Sequence, residues 1–170
     1  MIKDKASPNW AFMSTFEVWH DGQLYLRRWR LFECPWFGIY LHKICRPDRD
    51  RALHDHPWPF VSYVIKGSYE EEVPCQWFTG AVVPGKYLES KRTKDFLLGK
   101  REIRWFNFKR AKDAHRISEI ISNQFPKSLS SNLPIWTLVL RGKRQRVWGF
   151  YTEKGWVPWN EYLGVDNVST

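Results

Sequence analysis

The sequence predicts an all-β fold, a barrel or sandwich of many short strands in one domain. Eleven Trp, eleven Phe and seven Tyr in 170 residues form an aromatic load that suits pleated, half-buried surfaces. Apolar segments are short and closed by turn residues, among them DG at 21–22, CP at 34–35, RPD at 46–48, KG at 66–67, VPG at 83–85 and RGK at 141–143. No stretch keeps a helical period, apart from one short turn expected near 117–123.

Taken in order, the first strands are WAFMSTFEV at 10–18 and QLYLRRWRLFE at 23–33, separated by the DG turn beside His20, which is expected at the surface. WFGIYLHKI at 36–44 follows Pro35, and PFVSYVIK at 59–66 ends where Gly67 can turn the chain into SYEEEV at 68–73. The later strands are IRWFNFK at 103–109, HRISEI at 115–120, IWTLVLR at 135–141 and RVWGFYT at 146–152, with SNQFPKSLSSN at 122–132 as a longer surface loop. Strands of this length and spacing suit a sandwich or barrel. At this chain length one core is expected, so residues 1–170 are read as a single domain.

The net charge is +9, and the excess lies in the second half: residues 1–85 hold ten Lys/Arg against ten Asp/Glu, residues 86–170 seventeen against eight. KRTK at 91–94, FKRAK at 108–112 and RGKRQR at 141–146 carry much of it. Such a half can attract phosphates, nucleic acid or anionic metabolites, or form a solvated face. The opening MIKDKASPNWAF lacks the apolar stretch of a signal peptide, and no segment reaches the ~18 apolar residues of a membrane span. Cys34, Cys45 and Cys75 are odd in number and lack paired metal spacing, which fits free thiols and a cytoplasmic location. No G-x-S-x-G, no phosphate-cradling GxxxxGK and no recognisable Cys/His signature is present.

The chemistry concentrates in RALHDHPW at 51–58. On an extended segment His54 and His56 point to one side, with Asp55 facing the other way. A third histidine, His115 in KDAHRIS, heads a later strand. Two histidines one apart, a strand, a glycine and then a distant lone histidine resemble the cupin superfamily over roughly residues 36–150. Locally, RPDRDRALHDHPWPF, G-x-YEE and WTLVLRGKRQRVWGF followed by GWVPWNEY are similar to uncharacterised cupin-like proteins of bacteria and their phages. The resemblance implies a double-stranded β-helix, a jelly-roll-like barrel. The N-terminal strands 10–33 and the C-terminal aromatic segment 151–163 would pack on it. It also implies a divalent metal held by His54, His56 and His115, with Fe(II) favoured over Zn, Mn or Ni, and a homodimer is common among such barrels.

One departure stands out. Where the cupin pattern has a glutamate four or five residues after the second histidine, this chain has Phe60 or Val61, neither a ligand. Parity from His54 and His56 puts Trp58, Phe60, Ser62 and Val64 inward, unless Pro57 and Pro59 bulge the strand and shift the phase. The site is then three-histidine, completed from elsewhere, or abandoned. His42 is one replacement candidate, although a hydrogen-bonded wall histidine is the plainer reading. Asp48 and Asp50 default to surface ion pairs, and Glu70, Glu71 and Glu72 to a solvated face.

Around the mouth, Arg46, Arg49, Arg51, Trp58, Tyr63, Arg104 and Trp136 are candidates for binding a small anionic ligand by guanidinium and indole contacts. Trp58 and Trp136 read equally as core, and Arg104 as exposed face. Three functions fit: a metal-dependent enzyme on a small anionic metabolite, foremost an Fe(II) oxygenase with isomerase or lyase chemistry next; a module that holds a small ligand without turnover; and nucleic-acid binding by the basic half.

Overall fold

Short aromatic segments that each bury one face can close a core only by pairing edge to edge, and the computed structural model shows them doing so. It describes residues 10–20, 22–48, 52–75, 91–93, 96–121 and 133–164. The strands are β1 (Ala11–His20), β2 (Gln23–Glu33), β3 (Gly38–Ile44), β4 (Leu53–His54), β5 (Phe60–Lys66), β6 (Ser68–Cys75) and β7 (Lys91–Thr93). They continue as β8 (Phe96–Ile103), β9 (Phe106–Lys109), β10 (Arg116–Ile121), β11 (Ile135–Arg141), β12 (Gly149–Thr152) and β13 (Gly155–Pro158), with a single helical turn α1 (Trp159–Tyr162).

All strand pairs are antiparallel. One wall is a six-stranded sheet in the order β1-β2-β3-β11-β5-β9, and the other is built from β10-β6-β8-β7 and β13-β12-β4. An isolated bridge between His54 and His115 joins these two smaller sheets. Between the walls Leu26, Ile44, Val64 and Ile135 of the first sheet meet Tyr69, Ile103, Ile117 and Ile120 of the second. Strand parity selects these residues: in β11, Ile135, Thr137, Val139 and Arg141 are buried while Trp136, Leu138 and Leu140 face out. A slip of one residue would put the guanidinium of Arg141 outside and three large apolar groups inside.

Two glycines are required by geometry. Gly67 takes φ 84 in the turn from β5 to β6, a region that side chains rarely adopt. A Cβ at Gly149 would lie 2.2 Å from the carbonyl oxygen of Val157, so the β12–β13 hairpin closes only around glycine.

The expected strand 103–109 is broken at Arg104–Trp105, and FLLGKREI at 96–103 forms the missed β8. IRWFNFK alternates without a break, yet it spans a corner: β8 pairs with β6 in one wall, β9 with β5 in the other. The helical turn expected near 117–123 is strand β10 as far as Ile121, since pairing with β6 overrides the spacing of its isoleucines. β1 and β2 are members of the six-stranded wall itself, with β2 paired along β3. The expected loop 122–132 lies outside the described residues.

The RGKRQR run is not one basic surface. Arg141 is buried, donating from Nε to Tyr40 Oη at 2.9 Å and from Nη2 to Glu33 Oε1 at 2.7 Å and to the Cys34 carbonyl at 3.0 Å, with Trp58 under its guanidinium. Arg146 pairs with the fully buried Asp55 at 3.0 Å. Asp55 points away from the histidines, as parity requires. It accepts from the Gly149 amide at 2.8 Å and from Trp156 Nε1 at 3.1 Å, tying the C-terminal hairpin to the histidine segment.

Removing Arg141 strands a buried carboxylate. R141A should cost about 3 kcal/mol, the low end for a broken buried pair, because Arg30 Nη1 still lies 3.6 Å from Glu33. The double variant R141M/E33Q should recover much of that loss in urea unfolding, as both charges leave together.

Candidate metal centre and its cavity

The histidine segment is held from both sides by backbone bonds. His54 and His115 exchange both amide–carbonyl hydrogen bonds at 3.0 Å, and the His56 amide donates to the Ala111 carbonyl at 3.0 Å. Period-two alternation then places His54 and His56 on the face that His115 also reaches. His56 Nε2 and His115 Nε2 are 2.8 Å apart, and one ring nitrogen from each of the three histidines lies within 4.8 Å of the others. Metal–imidazole bonds of ~2.0–2.1 Å put neighbouring ligand nitrogens roughly 3 Å apart. The three side chains therefore fit a metal ion with small adjustments.

Burial, reinforced by the charges of His115, His54, Lys109 and Arg28, holds His56 well below the usual histidine value, so it presents a neutral imidazole. His115 is oriented by Glu71, whose Oε2 lies 2.8 Å from His115 Nδ1. Burial alone would raise the pKa of Glu71. The hydrogen bond and charge of His115, with the charges of Lys109 and Arg101, outweigh it and keep the carboxylate ionised. Its oxygens accept from Arg101 Nε at 2.5 Å, Lys109 Nζ at 2.9 Å and Asn107 Nδ2 at 3.0 Å. With Nδ1 of His115 donating to this carboxylate, Nε2 is the atom turned toward the other imidazoles. Behind the network Tyr69 is pushed up to about 12 by burial and the charge of Glu71.

A second buried carboxylate, Asp48, lies 3.6 Å from His54 Nδ1 and is held by the Ile117 amide. Asp48 and Glu71 thus correct the expectation of surface pairs and a solvated face. The three glutamates diverge: Glu70 pairs with Lys100, Glu72 with Arg116, and Glu71 turns inward. None adds a ligand atom to the cluster: Glu71 meets His115 from behind, at Nδ1, and among the described residues the convergent group is His54, His56 and His115. The prolines do not shift the phase. Trp58, Phe60 and Ser62 line the cavity and Val64 is buried, with the Phe60 ring 4.8 Å from that of His56.

The histidines open into a cavity of about 240 Å³ between the two walls. Of the seven expected ligand-binding residues, Trp58 lines it. Arg46 bonds Gln23, Tyr63 packs on Phe106, Arg104 pairs with Glu102, and Trp136 stacks on Trp29, all away from the cavity. Arg49 and Arg51 lie outside the described residues. Parity put Tyr40 and Ile44 inward with His42, and all three line the cavity, whereas sequence reasoning missed Arg28 and Trp148 there. Arg28 stood in plain alternation with Leu26 on an inward face, and that parity was the available signal. His42 also lines the cavity, but its Nε2 accepts from Arg28 Nε at 2.9 Å, so it is a wall histidine.

Two antiparallel walls closing on a mouth, with a His-x-His pair meeting the lone histidine at the head of a later strand, are the arrangement anticipated from the sequence. The chain has an all-β, jelly-roll-like fold. No protein-family model and no curated protein matches it. Among solved structures it is similar to a cupin-2 domain from Rhodospirillum rubrum, at 8% identity and a TM-score of 0.48, covering 91% of this chain and 82% of that one. It is also similar to FeII HppE, at 9% identity and a TM-score of 0.48, and to KdgF from Halomonas sp., at 14% identity and 0.41. These two matches cover 75% of this chain; it spans 55% of the HppE length and 89% of that of KdgF. No helix among the described residues is long and apolar enough to cross a membrane.

His42, like His56, is held well below the ordinary 6.5, chiefly by burial and then by the charge of Arg28. Each group stays neutral in the folded protein while the unfolded chain takes up a proton below about pH 6.5. Stability of the metal-free protein should therefore fall as pH drops through that value, by up to about 1.4 kcal/mol per pH unit for each histidine. In H42N the slope of unfolding free energy between pH 6.5 and 5 should lose one proton's worth. Urea titrations at a series of pH values measure it.

Proposed function

We propose that His54, His56 and His115 hold one divalent metal ion and that the protein acts on a small anionic metabolite in the adjoining cavity. The observation that carries this reading is the convergence of three imidazoles, one held neutral and one oriented by a buried carboxylate. Such an ion would supply Lewis acidity and open positions for a chelating substrate and a small molecule such as water or O₂. Fe(II) is the favoured ion and oxygenase chemistry the favoured reaction, with isomerase or lyase chemistry on the same site as the alternative. Three neutral imidazoles would leave compensation of the ion's charge to Glu71 and Asp48 behind the ligands, and the aromatic rings of Phe60, Trp148 and Phe150 at the cavity wall would limit water around it.

This chain's own residues would divide the work. Glu71 fixes the tautomer and plane of His115, Asp48 sits beside Nδ1 of His54, and Phe60 takes the place where a carboxylate would have lowered the charge. A holding module without turnover would use the same atoms. It differs only in showing metal-dependent binding and no product. The nucleic-acid reading loses part of its footing, because Arg141 and Arg146 of the basic run are committed to Glu33 and Asp55.

Elemental analysis of protein purified without added metal tests the site, and O₂ consumption with candidate metabolites tests the reaction. H56A and H115A should each abolish metal retention, since two imidazoles hold an ion poorly. E71Q should weaken retention about 10- to 100-fold while leaving all three ligands in place. F60E should strengthen it. A parent protein that stays metal-free after reconstitution with Fe(II), Mn(II), Ni(II) and Zn(II) would overturn the reading.

A further inference from the structure

We propose that the cavity takes a small aromatic acid, a molecule with one polar end at the histidines and a single apolar ring as its body. The polar end rests on the metal reading above; the ring does not.

Strand register lays the six-stranded wall of the cavity in rows. Val18 of β1 opposes Leu26 of β2, which opposes Ile44 of β3, and all three line the cavity. From the facing wall Ile117 of β10 packs in one cluster with Leu26 and Ile44, and Val18 and Tyr25 pack against that cluster. One end of the cavity is thus apolar from both walls. His115 precedes Ile117 by two residues, and both line the cavity. Two residues of strand span about 6.6 Å, so a group held at the histidines lies within the reach of one substituted ring from the apolar end.

The polar side chains of the six-stranded wall sit in the next row, where Phe16 opposes Arg28 and Arg28 opposes His42. Arg28 is engaged there, with Nε donating to His42 at 2.9 Å. Around the histidines the cavity is again aromatic. The Phe60 ring stands edge-on to His56 at 4.8 Å, and the rings of Phe150 and Trp148 lie 5.8 and 6.3 Å from that of His54. Aromatic pairs favour edge-to-face and offset contacts at such distances, and a guest ring can make them where an aliphatic body cannot.

Size and polarity narrow the class. An apolar cavity of ~150 Å³ takes benzene, so one of about 240 Å³ has room for a ring with a carboxylate. A polyhydroxy acid would set its hydroxyls against Val18, Leu26, Ile44 and Ile117, which offer them no partner, and each hydroxyl buried unpaired weakens binding. Among the described lining side chains none is a carboxylate, so a cationic amine finds no counter-ion.

Mandelate, glycolate and gluconate share one α-hydroxy acid head and differ in body: a phenyl ring, none, and a polyhydroxy chain. By isothermal titration Co(II)-loaded full-length protein should bind mandelate at least tenfold tighter than either of the others. Metal-free protein should bind neutral benzyl alcohol at least tenfold tighter than glycerol. V18N sets an amide into the apolar row from the edge strand and should cut the ratio of mandelate to glycolate affinity at least fivefold; I117T serves if V18N misfolds. Mandelate no tighter than glycolate or gluconate, benzyl alcohol no tighter than glycerol, or an unchanged ratio in a folded variant overturns the proposal. Failure of the metal reading shows separately, as mandelate bound no tighter with Co(II) than without it while benzyl alcohol still binds.

Discussion

The contact between Glu71 and His115 is the interaction on which the site depends. A carboxylate buried this deeply would ordinarily be protonated, and protonated it could no longer fix the imidazole's tautomer by accepting its Nδ1 proton. Arg101, Lys109 and Asn107 prevent that by supplying three further donors. They come from β8 and β9, strands that belong to opposite walls. The same network that orients one histidine therefore also couples the two walls around the corner at Arg104–Trp105. Lys109 is buried beside Glu71 while Arg101 reaches the same carboxylate from the exposed side, so part of the basic excess of the second half is spent on one buried charge.

The inward positions of β5 were legible in the sequence because they follow one rule. Once His54 and His56 are placed, period two assigns Trp58, Phe60, Ser62 and Val64 to the interior, and two prolines do not change the count. The corner within IRWFNFK was illegible, since its alternation is equally good for one strand or two and only the partners differ. Glu71 was illegible for a related reason. In SYEEEV three identical residues leave parity to choose, and a run of three charges ordinarily faces water. What brings Glu71 inside is Lys109 and Arg101, thirty or more residues away.

Charge was the most misleading signal. RGKRQR reads as a surface stripe, yet Arg141 falls on the inward phase of β11 and neutralises Glu33, while Arg146 reaches Asp55. The arginine that does face the cavity, Arg28, sits in QLYLRRWRLFE among three; parity gives Arg28 and Arg30 one face, and pairing with β3 sets Arg28 opposite His42 and Arg30 opposite Tyr40. A local excess of charge reports how many cations there are; strand phase reports where they point.

Phe60 ties these observations together. A carboxylate at that position would compensate a bound dication and leave an incoming anion with less to gain. Phe60 instead sets an apolar ring 4.8 Å from that of His56, so an ion held by the three imidazoles would have its nearest carboxylates behind the ligands, at Glu71 and Asp48. In so apolar a surrounding those two buried charges reach further than they would in water, and the orientation of the rings depends on them.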